Sequence, residues 1–172
     1  YARAFAVESN GKKLVFVNAD FCFSTNYLKA RIIGRLELEH PELGYSENNV
    51  MITAQHTHSA AGGYTQHLAY NFTMPGFQEE VCLRYSDAIL EAILKADANL
   101  KPAKILHHAA EFDKDADVCF NRSIRAYNQN PDVGVKVPLK KRHLAADRKM
   151  KLLRFDDENG RPMGSFNWFG VH

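Results

Sequence analysis

The spacing of apolar positions changes several times along the chain, and each change marks an element. "KKLVFVNAD" is a short β-branched run ending at Asp20, the pattern of a buried strand. Ser24 and Thr25 follow as candidate helix caps. Leu28, Ile32, Ile33, Leu36 and Leu38 then recur at near-helical spacing until His40-Pro41, and Pro41 and Gly44 break the pattern. "NVMITAQHTHS" predicts a second strand. Strand, helix and strand in this order form a βαβ unit, which requires parallel neighbours and a right-handed crossover.

Beyond this unit, Gly76 to Leu100 predicts a helix whose stripe is Phe77, Val81, Tyr85, Ile89, Ala92 and Ile93. "AKILHHAAEF" predicts a strand, and Asp113 to Arg148 is polar and irregular. "KMKLLRF" and "GSFNWFGVH" predict two strands joined by the turn-forming "DDENGRP". The expected class is α/β: mixed sheets beginning with a βαβ unit, helices packed on the sheet, and an antiparallel hairpin near the C-terminus. No internal repeat or low-complexity tract interrupts it.

With 172 residues, 45% apolar and 24% charged, the chain can bury a core of its own. No apolar run approaches the ~18 residues needed to cross a bilayer. A net charge of +2 is too small to imply a nucleic-acid partner. Cys22, Cys82 and Cys119 fit no zinc-knuckle spacing and are read as separate, mostly buried thiols, with one disulfide as the alternative. The final run "FNWFGV" reaches His172 with no polar tail, which predicts that this is the N-terminal portion of something longer.

The chemistry concentrates in "TAQHTHSAAGGY". In a continuing strand, Val50, Ile52, Ala54, His56 and His58 share a face. Ligands of α/β sheets bind at the carboxyl ends of strands, and Asp20 ends the preceding strand of the same unit, so Asp20, His56 and His58 are expected on one rim. Gly62 and Gly63 allow a tight turn or a close backbone approach. An H-x-H pair can be two idle loop histidines or part of a metal site. Zinc suits imidazole and a catalytic zinc takes three protein ligands, so this stretch is incomplete alone, and His172 at another strand end is the distant candidate. Asp20 has two readings, a carboxylate that orients a histidine from behind or a cap for the following helix.

These residues resemble a known family. "NVMITAQHTHSAAGGY" is similar to the "NVMISATHTHSGPGGY" signature of the neutral/alkaline, non-lysosomal ceramidases. "VFVNAD", "YNFTMPGFQEE", "NLKPAKI", "FNRSIRAYNQNP" and "DRKMKLLRFDDENGRPMGSFNWFGVH" continue the likeness in order, so residues 1–172 resemble the N-terminal portion of the family's catalytic domain. The resemblance implies a zinc-dependent amidase that cleaves ceramide (N-acylsphingosine) to sphingosine and a fatty acid, with water activated by Zn2+ as nucleophile. It implies zinc ligands at His56 and His172, a substrate-facing His58, and an active-site Arg122 from the N-R-S motif. The remaining ligands, a glutamate and a tyrosine, are implied beyond residue 172. Secretion or a periplasmic location is implied as well. "SAAGGY" and "NRSIRAY" depart from the family pattern, which touches substrate choice more than the metal.

Other readings remain at this stage. An H-x-H amidohydrolase barrel also places two histidines after its first strand, but eight βα units are required and the second half does not alternate in that way. The chain can also be a catalytically incomplete fragment, or a zinc enzyme for a non-ceramide amide. Tyr64 is either a core residue or part of a lipid channel. The basic loop from Val135 to Leu144 is a solvated face or a peripheral contact with anionic membrane. Asn71 and Asn121 lie in N-x-S/T sequons.

Overall fold

The computed structural model describes residues 1–72, 74 and 76–171. It divides into two compact units, Tyr1–Leu100 and Lys101–His172.

The first unit is built on the predicted βαβ. Strand β1 (Ala2–Ser9) pairs antiparallel with β2 (Lys12–Ala19), which pairs parallel with β3 (Val50–Ala54). The β1–β2 connection is the two-residue turn Asn10-Gly11, with φ of 52° and 71°. Both residues lie in the left-handed region, which matches the strand twist of a tight hairpin. The sequence pattern passes over β1 because its alternate positions are alanines. Ala2, Ala4 and Ala6 face the helices, where small side chains pack against the core.

Helix α1 (Asn26–Glu39) crosses from β2 to β3, and helix α3 (Glu79–Ala98) also packs on the sheet; a one-turn helix, α2 (Leu68–Asn71), lies between β3 and α3. Of the two candidate caps it is Thr25 that acts, its hydroxyl accepting from the Leu28 N–H at 3.1 Å. Leu28, Ile32, Ile33 and Leu36 meet Val15, Val17, Val50, Ile52, Ile89 and Ile93 in one core. Leu38 is 82% exposed and leaves the expected stripe, because a position two residues beyond the buried Leu36 lies about 200° round the helix, on the outward face. Helix α3 begins at Glu79, so Phe77 precedes it. At the amino ends of β2 and β3, the buried Tyr45 hydroxyl donates to Asp97 at 2.7 Å, and Lys13 pairs with the same oxygen at 2.8 Å. Burial, aided by the Asp97 charge, pushes the Tyr45 phenol well above its ordinary pKa.

The second unit is an antiparallel sheet in the order β4 (Ala103–Glu111), β5 (Lys149–Asp157), β6 (Pro162–Trp168), so the expected C-terminal hairpin is β5–β6. His107 and His108 occupy opposite faces of β4 by strand alternation. The irregular segment carries one short helix, α4 (Ile124–Tyr127), and a 3-10 stretch over Leu139–Ala145. Asp147 accepts from the Lys149 N–H at 2.9 Å as β5 begins. Among the described residues, no helix is long and apolar enough to cross a membrane.

Ile32 is fully buried at the α1–sheet contact. Ile32→Ala is expected to lower unfolding free energy by about 2–5 kcal/mol in denaturant titration. Leu38→Ala, on the exposed face of α1, is expected to stay within about 0.5 kcal/mol of the parent.

Candidate functional site

Parallel pairing sets the site. Ala19 and Ala54 are partners at the carboxyl ends of β2 and β3, so the segments that follow them leave the sheet side by side. One more ladder bond forms, from the Gln55 N–H to the Ala19 carbonyl at 3.0 Å. The strand expected to carry His56 and His58 on one face therefore stops at Ala54.

His56 has φ of 61°, a left-handed conformation that is uncommon for a residue with a Cβ. Such a backbone costs of order 1–3 kcal/mol and persists only where its surroundings hold it. Here the side chain supplies a hold: His56 Nδ1 lies 2.8 Å from the Cys22 carbonyl oxygen. A carbonyl only accepts, so the contact assigns the proton to Nδ1, and in the neutral ring it leaves the lone pair on Nε2. His58 Nε2 is 3.3 Å from His56 Nε2, with the two rings at 84° and their centroids 4.8 Å apart. The left-handed turn, not strand alternation, thus brings the two imidazoles tip to tip. Both residues are exposed.

Cys22 is the site residue that sequence reasoning did not find. Its Sγ is 3.8 Å from His56 Nδ1, and Cys22, His56 and His58 each offer a donor atom within 4.8 Å of one another. The thiol is partly exposed rather than buried, while Cys82 and Cys119 are buried, and all three are free. No spacing rule relates Cys22 to a histidine 34 positions later; the signal is their shared position after two parallel strands.

Asp20 follows the end of β2 on the same rim, and its carboxylate bonds Arg3. It accepts from Arg3 Nη1 at 2.8 Å and from Nη2 at 3.3 Å. Neither reading of Asp20 describes this geometry: the Cys22 carbonyl orients His56, and Thr25 caps α1. The Arg3 hydrogen bond holds the Asp20 carboxyl below the usual carboxylate range, against the opposing effect of desolvation.

Behind the histidine loop stands an aromatic group. Tyr64 is 2% exposed, which makes it a core residue. Its ring packs edge-on against Phe21 and Tyr85 at centroid distances of 5.5 and 5.1 Å, and tilted on Phe23 at 5.4 Å. Gly63 turns the chain into this cluster with φ of 82°, where an added Cβ would lie 2.7 Å from Gln78 Cγ. Asn71, the first sequon, is buried and donates to the Thr65 carbonyl at 2.6 Å, so that side chain is not presented for glycosylation.

Arg122 belongs to the second unit, where it is exposed in the bend before α4. Its neighbour Asn121 anchors the bend: the Asn121 N–H donates to the Arg142 carbonyl at 3.2 Å, and Asn121 Nδ2 donates to the Ala145 carbonyl at 3.2 Å. The basic loop lies over this anchor, with the Arg142 guanidinium 3.8 Å from the centre of the Phe120 ring. His172 lies outside the described residues.

Residues 1–172 match the family model described as "Neutral/alkaline non-lysosomal ceramidase, N-terminal". The neutral ceramidase of Oryza sativa subsp. japonica is 38% identical over 172 residues, which are 99% of this chain and 21% of that protein. The neutral ceramidase of Pseudomonas aeruginosa is 35% identical over 175 residues, covering 100% of this chain and 24% of that protein. A crystal structure of neutral ceramidase from Pseudomonas aeruginosa superimposes with a TM-score of 0.86 at 34% identity, covering 99% of this chain and 26% of that one. A structure described as ceramidase complexed with C2 gives a TM-score of 0.87 at 34% identity, covering 99% and 25%. The chain therefore spans only a minor part of the length of these relatives.

The Arg3–Asp20 pair has a pH signature. Because the Asp20 pKa is lowered by folding, its contribution to stability is present above the unfolded value of about 4 and is lost as pH falls through the folded value. Thermal unfolding between pH 2 and 7 should show that acid limb, and Asp20→Asn should flatten it while reducing stability at pH 7.

Proposed function

The chain belongs to the neutral/alkaline non-lysosomal ceramidase family, and from that premise we propose that it carries part of the active centre of a zinc-dependent amidase acting on the amide bond of ceramide. The observation that supports this best is the convergence of His56 Nε2 and His58 Nε2 at 3.3 Å, with His56 Nδ1 tied to a carbonyl. A metal-ligating histidine characteristically donates its other ring N–H to a carbonyl or carboxylate, which fixes the tautomer and raises the basicity of the ligating nitrogen. His56 has that arrangement, so this donor set fits zinc. Zinc, when bound, would supply a Lewis acid that polarises the amide carbonyl and acidifies water at neutral pH.

The chain's own residues divide the remaining work. His56 would hold the metal through Nε2, with His172 as a further ligand. His58, exposed and with its Nε2 3.3 Å from the proposed ligating nitrogen of His56, would hydrogen-bond the substrate or carry a proton between water and the leaving amine. Arg122 would donate to the developing oxyanion or to a hydroxyl of the sphingoid base. Gly62 and Gly63 let the loop after the histidines pack closely on the Met74 and Gln78 side chains, where an added Cβ would lie 2.5 Å from Met74 Cε and 2.7 Å from Gln78 Cγ. The partly exposed thiol of Cys22 borders the same space. A secreted or periplasmic protein would meet ceramide at a membrane surface, and the Lys and Arg residues of the 135–144 loop suit an anionic one.

Zinc bound to the protein should fall in His56→Ala, measured by metal analysis after dialysis, and hydrolysis of a short-acyl ceramide should fall at least about a hundredfold. His58→Ala should keep the zinc and lose turnover. Full zinc occupancy in His56→Ala would refute its role as a ligand, and an unchanged rate in His58→Ala would refute the division of roles.

A further inference from the structure

We infer that Tyr64 is a positioning residue for His56, acting through the backbone of Phe23 and Cys22. The Tyr64 hydroxyl makes two hydrogen bonds to one residue: it donates to the Phe23 carbonyl at 2.9 Å and accepts from the Phe23 N–H at 3.1 Å. Phe23 is thereby fixed from both sides of its own peptide links. Its N–H belongs to the same peptide group as the Cys22 carbonyl, so the two lie in one plane. Holding that N–H fixes the direction of that carbonyl, and that carbonyl is what receives the His56 Nδ1–H.

The clamp is rigid at its base. Tyr64 is buried among Phe21, Phe23 and Tyr85, and a phenol ring so enclosed has little freedom to follow a moving loop. Gly63 is bound in turn, its carbonyl accepting from the Gln78 N–H at 2.7 Å at the entry to α3. A path of direct contacts thus runs from the start of α3 through Gly63 and Tyr64 to the Phe23–Cys22 peptide and the His56 ring. Without the hydroxyl, the Phe23–Cys22 segment keeps its apolar packing but loses both polar anchors. The peptide plane can then rotate, and the left-handed His56 loses the acceptor that holds its ring. Tyr64 touches neither substrate nor metal in this role.

The test uses Tyr64→Phe, with Tyr45→Phe as a matched loss of a buried tyrosine hydroxyl at the opposite ends of β2 and β3. In 15N-labelled protein, at one pH where the imidazole is neutral, long-range 15N–1H spectra should show parent His56 as a single Nδ1–H tautomer. Tyr64→Phe should move both His56 nitrogens towards the averaged values of a free imidazole, and should weaken zinc binding about tenfold, the lower end for groups that orient a ligand from outside the coordination sphere. Tyr45→Phe should change neither reading. Unchanged His56 nitrogen shifts in Tyr64→Phe would overturn the inference, as would equal changes in both variants. Should Tyr64→Phe not fold, hydrogen exchange of the parent decides: a protected Phe23 amide supports the clamp, and exchange at the unprotected rate refutes it. The affinity arm rests on the zinc reading and the tautomer arm does not. Altered shifts with unaltered zinc affinity would therefore leave the clamp standing and count against the metal.

Discussion

The hydrogen bond from His56 Nδ1 to the Cys22 carbonyl, 2.8 Å long, joins the two segments that leave the sheet after β2 and β3. It fixes the tautomer of the ring, aims Nε2 at His58, and helps to hold a histidine at positive φ. For the bond to form, β2 and β3 must be parallel and end together. Their register meets that condition by pairing Ala19 with Ala54. The parallel register in turn needs a crossover helix, and α1 supplies it by burying Leu28, Ile32, Ile33 and Leu36 against the strands. The site thus depends on a core some residues away from it, and its geometry is a consequence of strand ends rather than of loop composition.

A polar site at the end of an apolar βαβ unit separates two demands that would otherwise conflict. The sheet and its helices carry the burial, while the strained backbone and the exposed imidazoles sit where the ladder has ended and little core packing is at stake. The aromatic group of Phe21, Phe23, Tyr64 and Tyr85 lies between these regions. It is apolar enough to extend the core, and its phenol hydroxyls reach loop backbone: Tyr64 bonds Phe23, and Tyr85 donates to the Ala61 carbonyl at 2.9 Å. Burial pushes both phenols above their ordinary pKa, which favours the protonated hydroxyls that make these bonds.

Much of the first unit was legible in the sequence, because β2, α1 and β3 bury whole faces and burial leaves a period. The sheet's edge strand was not, since the alanines of β1 that face α3 give a weak apolar signal; its Asn10-Gly11 turn was the clearer mark. The rim of the site was legible through the rule for strand ends, and it correctly grouped Asp20, His56 and His58 in one region. What lay beyond periodicity was the behaviour of single residues. Strand alternation carried through His56 gives a shared face, whereas a positive φ at that residue ends the strand and folds the rings together. Asp20 was drawn to Arg3 by a cross-strand charge pair, since Ala2 faces Ala19 and the next residues lie diagonally across. Cys22 was invisible because its contact with His56 is tertiary.

The most direct measurement of this account is the structure of the zinc-soaked protein, with anomalous scattering collected at the zinc edge. The account places the metal on His56 Nε2 at about 2.0–2.1 Å, with Nδ1 still bonded to the Cys22 carbonyl. Zinc on Nδ1, with the Cys22 contact broken, or zinc held elsewhere with His56 unligated, would contradict it.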